Sequence, residues 1–137
     1  MRRLLPVALS IALAAVACGG EPSPPGPGAP SPRPSTRALL RIEEPRNGEV
    51  IRGDRVRIVL SLSGARLAET ARTEVRPDEG HLHVMLDDRL LSMTGRLEQV
   101  IRDVEPGEHL LRVEFVANDH APFDPRVIQA VTFEVRR

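Results

Sequence analysis

Residues 55–62 read RVRIVLSL, and apolar side chains occupy every second position of this stretch. In an extended chain, alternate side chains point to opposite faces, so one face of this segment is apolar and the other carries two arginines and a serine. An apolar face of this kind is buried against a core, whereas the polar face is exposed to solvent. The stretch therefore predicts a half-buried β-strand whose inward residues are Val56, Ile58, Leu60 and Leu62.

The same alternation recurs in three later stretches, residues 81–87, 109–117 and 132–135. Their predicted inward side chains are Leu82, Val84, Leu86, Leu111, Val113, Phe115, Phe133 and Val135. Residues 39–42 and 97–104 are weaker strand candidates. Together these stretches predict six or seven short strands within about a hundred residues.

Turn-forming clusters of Gly, Pro, Asn and Asp separate the predicted strands, and no long helical pattern occurs. The sequence therefore predicts an all-β fold, an immunoglobulin- or fibronectin-type antiparallel β-sandwich of about seven strands. The connection at residues 64–79 is long for a sandwich loop, and residues 65–73 within it are compatible with one or two helical turns.

The N-terminal residues 1–17 have the three-part layout of a signal peptide. Arg2 and Arg3 precede an apolar run at residues 6–16, and small residues precede Cys18. That run is shorter than the roughly 20 residues that a helix needs to cross a bilayer, so we expect it to be cleaved rather than retained.

The residues AVAC at 15–18 resemble the cleavage box of bacterial lipoproteins, although Ala15 stands where leucine is preferred. The resemblance implies cleavage before Cys18, a diacylglyceryl group on its sulfur and usually a further fatty acid such as palmitate on its amine. Two or three acyl chains hold a protein firmly on a membrane. We therefore expect a lipid-anchored protein of the outer or plasma membrane, facing the periplasm or the exterior. The alternative is a secreted protein with a chance cysteine.

Residues 21–36 read EPSPPGPGAPSPRPST, with seven prolines and no large apolar side chain. Such a segment cannot bury a core, and its prolines lack the amide donors that helices and sheets use. We predict that residues 18–36 form a lipidated, disordered and extended linker and that the sandwich domain spans residues 37–137.

The composition excludes several functional classes. The formal net charge is zero and aromatic residues are 2% of the chain, without the basic patch or stacking rings of a nucleic-acid binder. The absence of Trp and Tyr disfavours a sugar-binding face. One cysteine excludes a disulfide within the chain. No nucleophile elbow, zinc-protease helix or phosphate-binding glycine loop occurs, so we expect no enzyme activity and, apart from copper or zinc, no cofactor.

His81, His83, Met85 and Asp87 fall on one face of their strand, opposite the predicted inward residues. In an immunoglobulin-type topology the third and sixth strands pair antiparallel, which brings Asp119 and His120 to the His81 end. Imidazoles with a carboxylate suit zinc or copper, and the thioether of Met85 favours copper(I), with Met93 further off in the next connection. The alternative is that the histidines only stiffen the loops of this rim.

Three motifs occur in the second half of the chain: GHLH at 80–83, PGEH at 106–109 and NDHAP at 118–122. Together they resemble a group of uncharacterised bacterial exported proteins with immunoglobulin-like folds, for which no activity is established. His109 occupies the corner where such domains often place a hydrogen-bonding tyrosine. We therefore expect His109 to be structural and to lie at the opposite end from His81.

Two functional hypotheses follow. The first is a noncatalytic binding or scaffolding module tethered at the cell envelope, with an envelope protein or a small ligand as its partner. The second is a periplasmic copper- or zinc-binding protein whose ligands come from a rim cluster of His81, His83, His120, Asp119 and Met85.

Overall fold

The computed structural model describes residues 32–68 and 73–137, and the predicted signal peptide, Cys18 and most of the linker lie outside these residues. The described chain forms nine strands: β1 (Leu39–Glu44), β2 (Glu49–Arg52), β3 (Val56–Ser63), β4 (Arg66–Leu67), β5 (Glu79–Leu86), β6 (Arg89–Thr94), β7 (Glu98–Ile101), β8 (Gly107–Ala117) and β9 (Pro122–Arg136). Within the described ranges, no helix is both long and apolar enough to cross a membrane.

The strands form two sheets that enclose one core. A three-stranded sheet has the order β1-β3-β7, and a six-stranded sheet has the order β2-β9-β8-β5, with β4 and β6 both pairing with the outer side of β5. Most pairs are antiparallel, whereas the short strands β2 and β4 pair parallel with β9 and β5. The arrangement is a β-sandwich of the immunoglobulin and fibronectin kind, which confirms the predicted fold class.

Most residues that the period-two pattern assigned to the inward faces lie in the core, although Leu62 and Leu86 are only partly buried and the core also contains residues outside the pattern. Val56 and Ile58 of β3, Leu82 and Val84 of β5, and Phe115 of β8 are all fully buried. Burial of their apolar surface is the main favourable contribution to folding, and no disulfide is present within the described residues to assist it. For β3, β5 and β8, the alternation thus predicted both the strand and its inward face.

Three strands of the six-stranded sheet, β4, β6 and β9, differ from the sequence prediction. Strand β9 spans fifteen residues rather than the four expected, and β6 forms where only a connection was expected. The suggested helical turns do not form at residues 66–67, which make the short strand β4, and residues 69–72 lie outside the described part. Strand β6 is an exposed edge whose Leu90, Leu91 and Met93 face solvent, so it lacks the alternation that marks a half-buried strand.

A two-residue turn joins β5 to β6. Asp87 and Asp88 adopt positive φ values of 48° and 65°, as the central residues of a type I′ hairpin turn do. The prediction that Asp87 continues the outward face of β5 is therefore wrong. The turn rotates its carboxylate toward β8, where Oδ1 accepts a hydrogen bond from the Leu110 amide at 2.9 Å.

Candidate functional site

Strands β5 and β8 bring three histidines together at one end of the six-stranded sheet. Leu82 is buried, so its neighbours His81 and His83 project from the opposite face of β5. The antiparallel register pairs His81 with Val116, near the end of β8. The chain then turns at residues 118–121, where the His120 amide donates to the Ala117 carbonyl at 2.8 Å. We call His81, His83 and His120 the histidine rim.

The three imidazoles of the histidine rim are in mutual contact through His120. Nε2 of His83 lies 3.2 Å from Nδ1 of His120, and these two rings are stacked with centroids 5.5 Å apart. The His81 and His120 ring centroids are 5.1 Å apart and tilted by 56°. The topology thus places all three predicted histidines within reach of one small ligand.

The surroundings of His81 and His83 favour uncharged imidazole. Burial lowers the pKa of His81 and of His83 below the ordinary histidine value, and the proximity of His120 lowers both further. Nδ1 of His81 is also buried without a hydrogen-bond partner among the described residues. Neutral imidazole nitrogens carry the lone pairs that bind a metal ion or accept a hydrogen bond from a ligand.

Asp119 lies beside the histidine rim but is held by an arginine. Arg33 donates to both carboxylate oxygens of Asp119, at 2.6 and 3.0 Å, and to the carbonyls of Ala121 and Pro122. The hydrogen bond from Arg33 holds the pKa of Asp119 below its usual value. Because both oxygens are engaged, Asp119 does not extend the imidazole cluster. Arg33 belongs to the stretch that the sequence assigned to the linker, so the end of that stretch contacts the loop carrying His120.

No set of three or more His, Cys, Asp or Glu residues in the described ranges is arranged to hold one metal ion as it stands. The close pair of nitrogens belongs to His83 and His120 alone. A metal at the rim would therefore take these two nitrogens first and need a further donor, or a rotation of the His81 ring.

Met85 keeps the outward face of β5 that the sequence predicts, because the β5–β8 register runs unbroken from His83 to Met85. In the β5–β6 pairing Met85 lies beyond an irregularity, opposite Leu90 and away from the histidines. Met93 on β6 is instead the direct cross-strand partner of His83. Sequence reasoning missed this pairing because it missed β6.

A second carboxylate near the rim was not predicted. Glu114 on β8 pairs in register with His83, and its side chain is nearly buried. Arg126 of β9 holds it through two hydrogen bonds of 2.7 and 2.6 Å. The outward position of Glu114 in the alternating β8 pattern was the only sequence signal for it.

The glycine of the GHLH motif is required by packing. A Cβ on Gly80 would lie 2.0 Å from the Val116 carbonyl oxygen and 3.0 Å from Cζ of Phe115. Only glycine lets β5 approach β8 this closely at the histidine rim.

His109 lies at the opposite end of β8, as expected from its corner position. Its Nδ1 is 2.7 Å from Oδ2 of Asp87 and its Nε2 is 2.7 Å from the Glu105 carbonyl oxygen. Burial lowers the pKa of His109, but the hydrogen bonds to Asp87 and Glu105 outweigh it and the net pKa is raised. Its ring also packs against Phe133, with centroids 5.6 Å apart. His109 therefore ties three chain segments together.

Comparison with known proteins agrees with the sandwich. No protein-family model and no curated protein matches the sequence. Among solved structures, the fibronectin(III)-like modules of Clostridium thermocellum CbhA superpose with a TM-score of 0.51 at 17% identity, covering 71% of this chain and 94% of theirs. The PKD domain of human KIAA0319 gives a TM-score of 0.47 at 13% identity over 81% of this chain and 91% of that domain. The CbhA likeness supports the fold and says nothing of a ligand.

Proposed function

We propose that this protein is a cell-envelope lipoprotein, anchored through Cys18, whose sandwich domain binds a partner without catalysis. The observation that carries the binding role is the histidine rim, in which His81 and His83, with lowered pKa values, contact the exposed ring of His120. Acyl transfer would need a serine or cysteine held beside a base and an oxyanion site. The partner is an envelope protein or a small ligand, and the linker would hold the domain away from the lipid.

The anchor is tested by Cys18→Ser. The wild-type chain should incorporate labelled fatty acid and sediment with membranes, whereas Cys18→Ser should lose the label. A matched Ser23→Ala variant, changed in the linker a few residues later, should behave as wild type. Persistent labelling of Cys18→Ser contradicts lipid attachment at this residue.

A second candidate function is metal binding at the histidine rim, with zinc or copper as the ion. The observation that favours it is the 3.2 Å between Nε2 of His83 and Nδ1 of His120. Two nitrogens bound to one ion at about 2.0 Å in a tetrahedral arrangement are separated by about 3.3 Å. The spacing therefore suits two ligands of one ion.

Metal binding is tested by calorimetric titration with Zn²⁺ and with copper, on protein purified without a histidine tag. His83→Ala should weaken the site by at least about tenfold, since even outer-shell partners of a metal contribute 10–100-fold. His109→Ala is the matched control at the other end of the sheet and should leave the affinity within about twofold. Absence of saturable binding near neutral pH refutes this second candidate and leaves the histidine rim as a site for other ligands.

A further inference from the structure

Met93 supplies a soft donor at the histidine rim. The β5–β6 register pairs it directly with His83, and directly paired residues of an antiparallel sheet point to the same face with Cβ atoms about 4.5–5.5 Å apart. Met93 is also 57% exposed, so its thioether is not committed to the core. The sulfur therefore lies on a flexible, accessible side chain next to an imidazole.

The carboxylates that the described residues place beside the rim are bound by arginines; Glu79, which interacts with His81, is bound by Arg66. Arg33 takes both oxygens of Asp119, and Arg126 takes both oxygens of Glu114. Each pair is a charge-assisted, two-point contact, the geometry in which guanidinium binds carboxylate most strongly. These carboxylate oxygens are thereby neutralised, and the donors left at the rim among the described side chains are imidazole nitrogens and a thioether sulfur.

That donor set discriminates between metal ions. Carboxylate and water oxygens suit hard cations such as magnesium and calcium, imidazole suits zinc and copper, and thioether selects copper(I). Copper(I) also accepts three ligands, so two imidazoles and one thioether complete its site without a carboxylate. Zinc usually takes four ligands and gains little from a thioether.

We infer that the histidine rim is a copper(I) site in which Met93 is the third ligand beside His83 and His120. The inference rests on the metal-binding candidate above and adds the identity of the ion and of the third ligand. Met85 is the matched control. It is a methionine on the same face of the β5–β6 pair as Met93, but it is paired with Leu90 and Arg112 instead of His83.

The test uses the full-length protein carrying Cys18→Ser, purified in detergent, because a free thiol would itself bind copper(I). Copper(I) affinity is measured anaerobically by competition with a chromophoric copper(I) chelator, and Zn²⁺ affinity by calorimetry. Met93→Leu should weaken copper(I) binding by at least about tenfold and leave zinc within about twofold, whereas Met85→Leu should change neither. Thermal melting of both variants checks that the fold is intact, which the exposure of Met93 leads us to expect.

Nuclear magnetic resonance of methyl-labelled methionine gives a readout that folding defects do not mimic. Copper(I) should shift the Met93 methyl signal and leave those of Met85 and Met1 in place. The role of Met93 is overturned if Met93→Leu binds copper(I) as tightly as wild type, or if Met85→Leu loses as much affinity as Met93→Leu. Zinc and copper binding by the wild-type rim would then still support the metal candidate. If the Cys18→Ser protein binds neither ion, the metal candidate and this inference both fail.

Discussion

Histidines lie at both ends of the six-stranded sheet, but their ring nitrogens have different partners. At the corner, both ring nitrogens of His109 lie 2.7 Å from oxygen acceptors. At the histidine rim, imidazoles face imidazoles, and a buried nitrogen of His81 has no partner within the described chain. A histidine whose two nitrogens are both bonded within the fold contributes to structure, whereas a cluster that retains lone pairs is suited to a ligand.

The difference comes from the acceptors that the chain places at each end. The turn at Asp87 directs an ionised carboxylate at His109; burial raises the pKa of Asp87, but the hydrogen bonds from His109 and the Leu110 amide lower it overall. At the rim the corresponding carboxylates, Asp119 and Glu114, are bound by arginines. His109 therefore favours the imidazolium form, whereas burial and then the proximity of His120 make His81 and His83 favour neutral imidazole.

The largest expected effect concerns the phenylalanines beneath the two ends. Phe115 stacks on Phe123 and pairs in register with Leu82 under the rim, while Phe133 contacts the His109 ring. Both are fully buried, so Phe115→Ala and Phe133→Ala should each lower the free energy of unfolding by about 3–5 kcal/mol in urea titrations. Only Phe133→Ala should alter the pKa of His109, measured by an NMR pH titration of its ring signals. Equal disturbance of His109 by both variants contradicts the separation of the two ends.

Much of this comparison was available from the sequence. Inward residues such as Ile58 and Phe115 follow from alternation because burial acts on one face of each strand. The meeting of His81 with His120 follows from alternation together with the antiparallel pairing of the third and sixth strands. Strand β6 escaped prediction because Leu90 and Met93 are exposed on an edge, where no buried face imposes a period.

The partners of the carboxylates were not predictable in the same way. Arg33 and Asp119 are 86 residues apart, and neither lies in an alternating pattern that would orient its side chain. Asp87 was expected to continue the outward face of β5 with His81 and His83. The type I′ turn takes Asp87 out of the strand. The contact between its carboxylate and His109 therefore depends on the positive φ of Asp87, which the sequence pattern does not specify.

A smaller effect is expected when a histidine is removed from each end. His109→Ala removes two hydrogen bonds and the contact with Phe133, so it should lower the free energy of unfolding by about 2 kcal/mol. His83→Ala removes one imidazole contact from a half-buried position and should cost less than about 1 kcal/mol in metal-free protein. Urea midpoints of both variants, measured near pH 6 with a chelator present, give the comparison. A costlier His83→Ala would mean that the rim is structural as well.

The smallest effect is a difference in pH dependence between the same two variants. The pKa of His109 is raised in the folded protein, so its contribution to stability is fully present below the unfolded value of about 6.5 and is lost as pH rises through the folded pKa. The pKa values of His81 and His83 are lowered, so the unfolded chain binds more protons and stability falls as pH drops below about 6.5. The two ends thus respond to pH with opposite signs.

The cost of each substitution should therefore change with pH in opposite directions in metal-free protein. Between pH 5 and pH 8, where Asp87 stays ionised, the loss of stability in His109→Ala should be greatest at the acid end and shrink toward the alkaline end. The loss in His83→Ala should be greatest at the alkaline end, since burial and then the proximity of His120 disfavour the protonated His83 ring at acid pH. Each pKa unit corresponds to at most about 1.4 kcal/mol, and solvent at these half-exposed groups reduces that figure. Parallel curves for the two variants would show that the corner and the rim share one electrostatic environment, and the distinction between a structural and a ligand-binding histidine would then be lost.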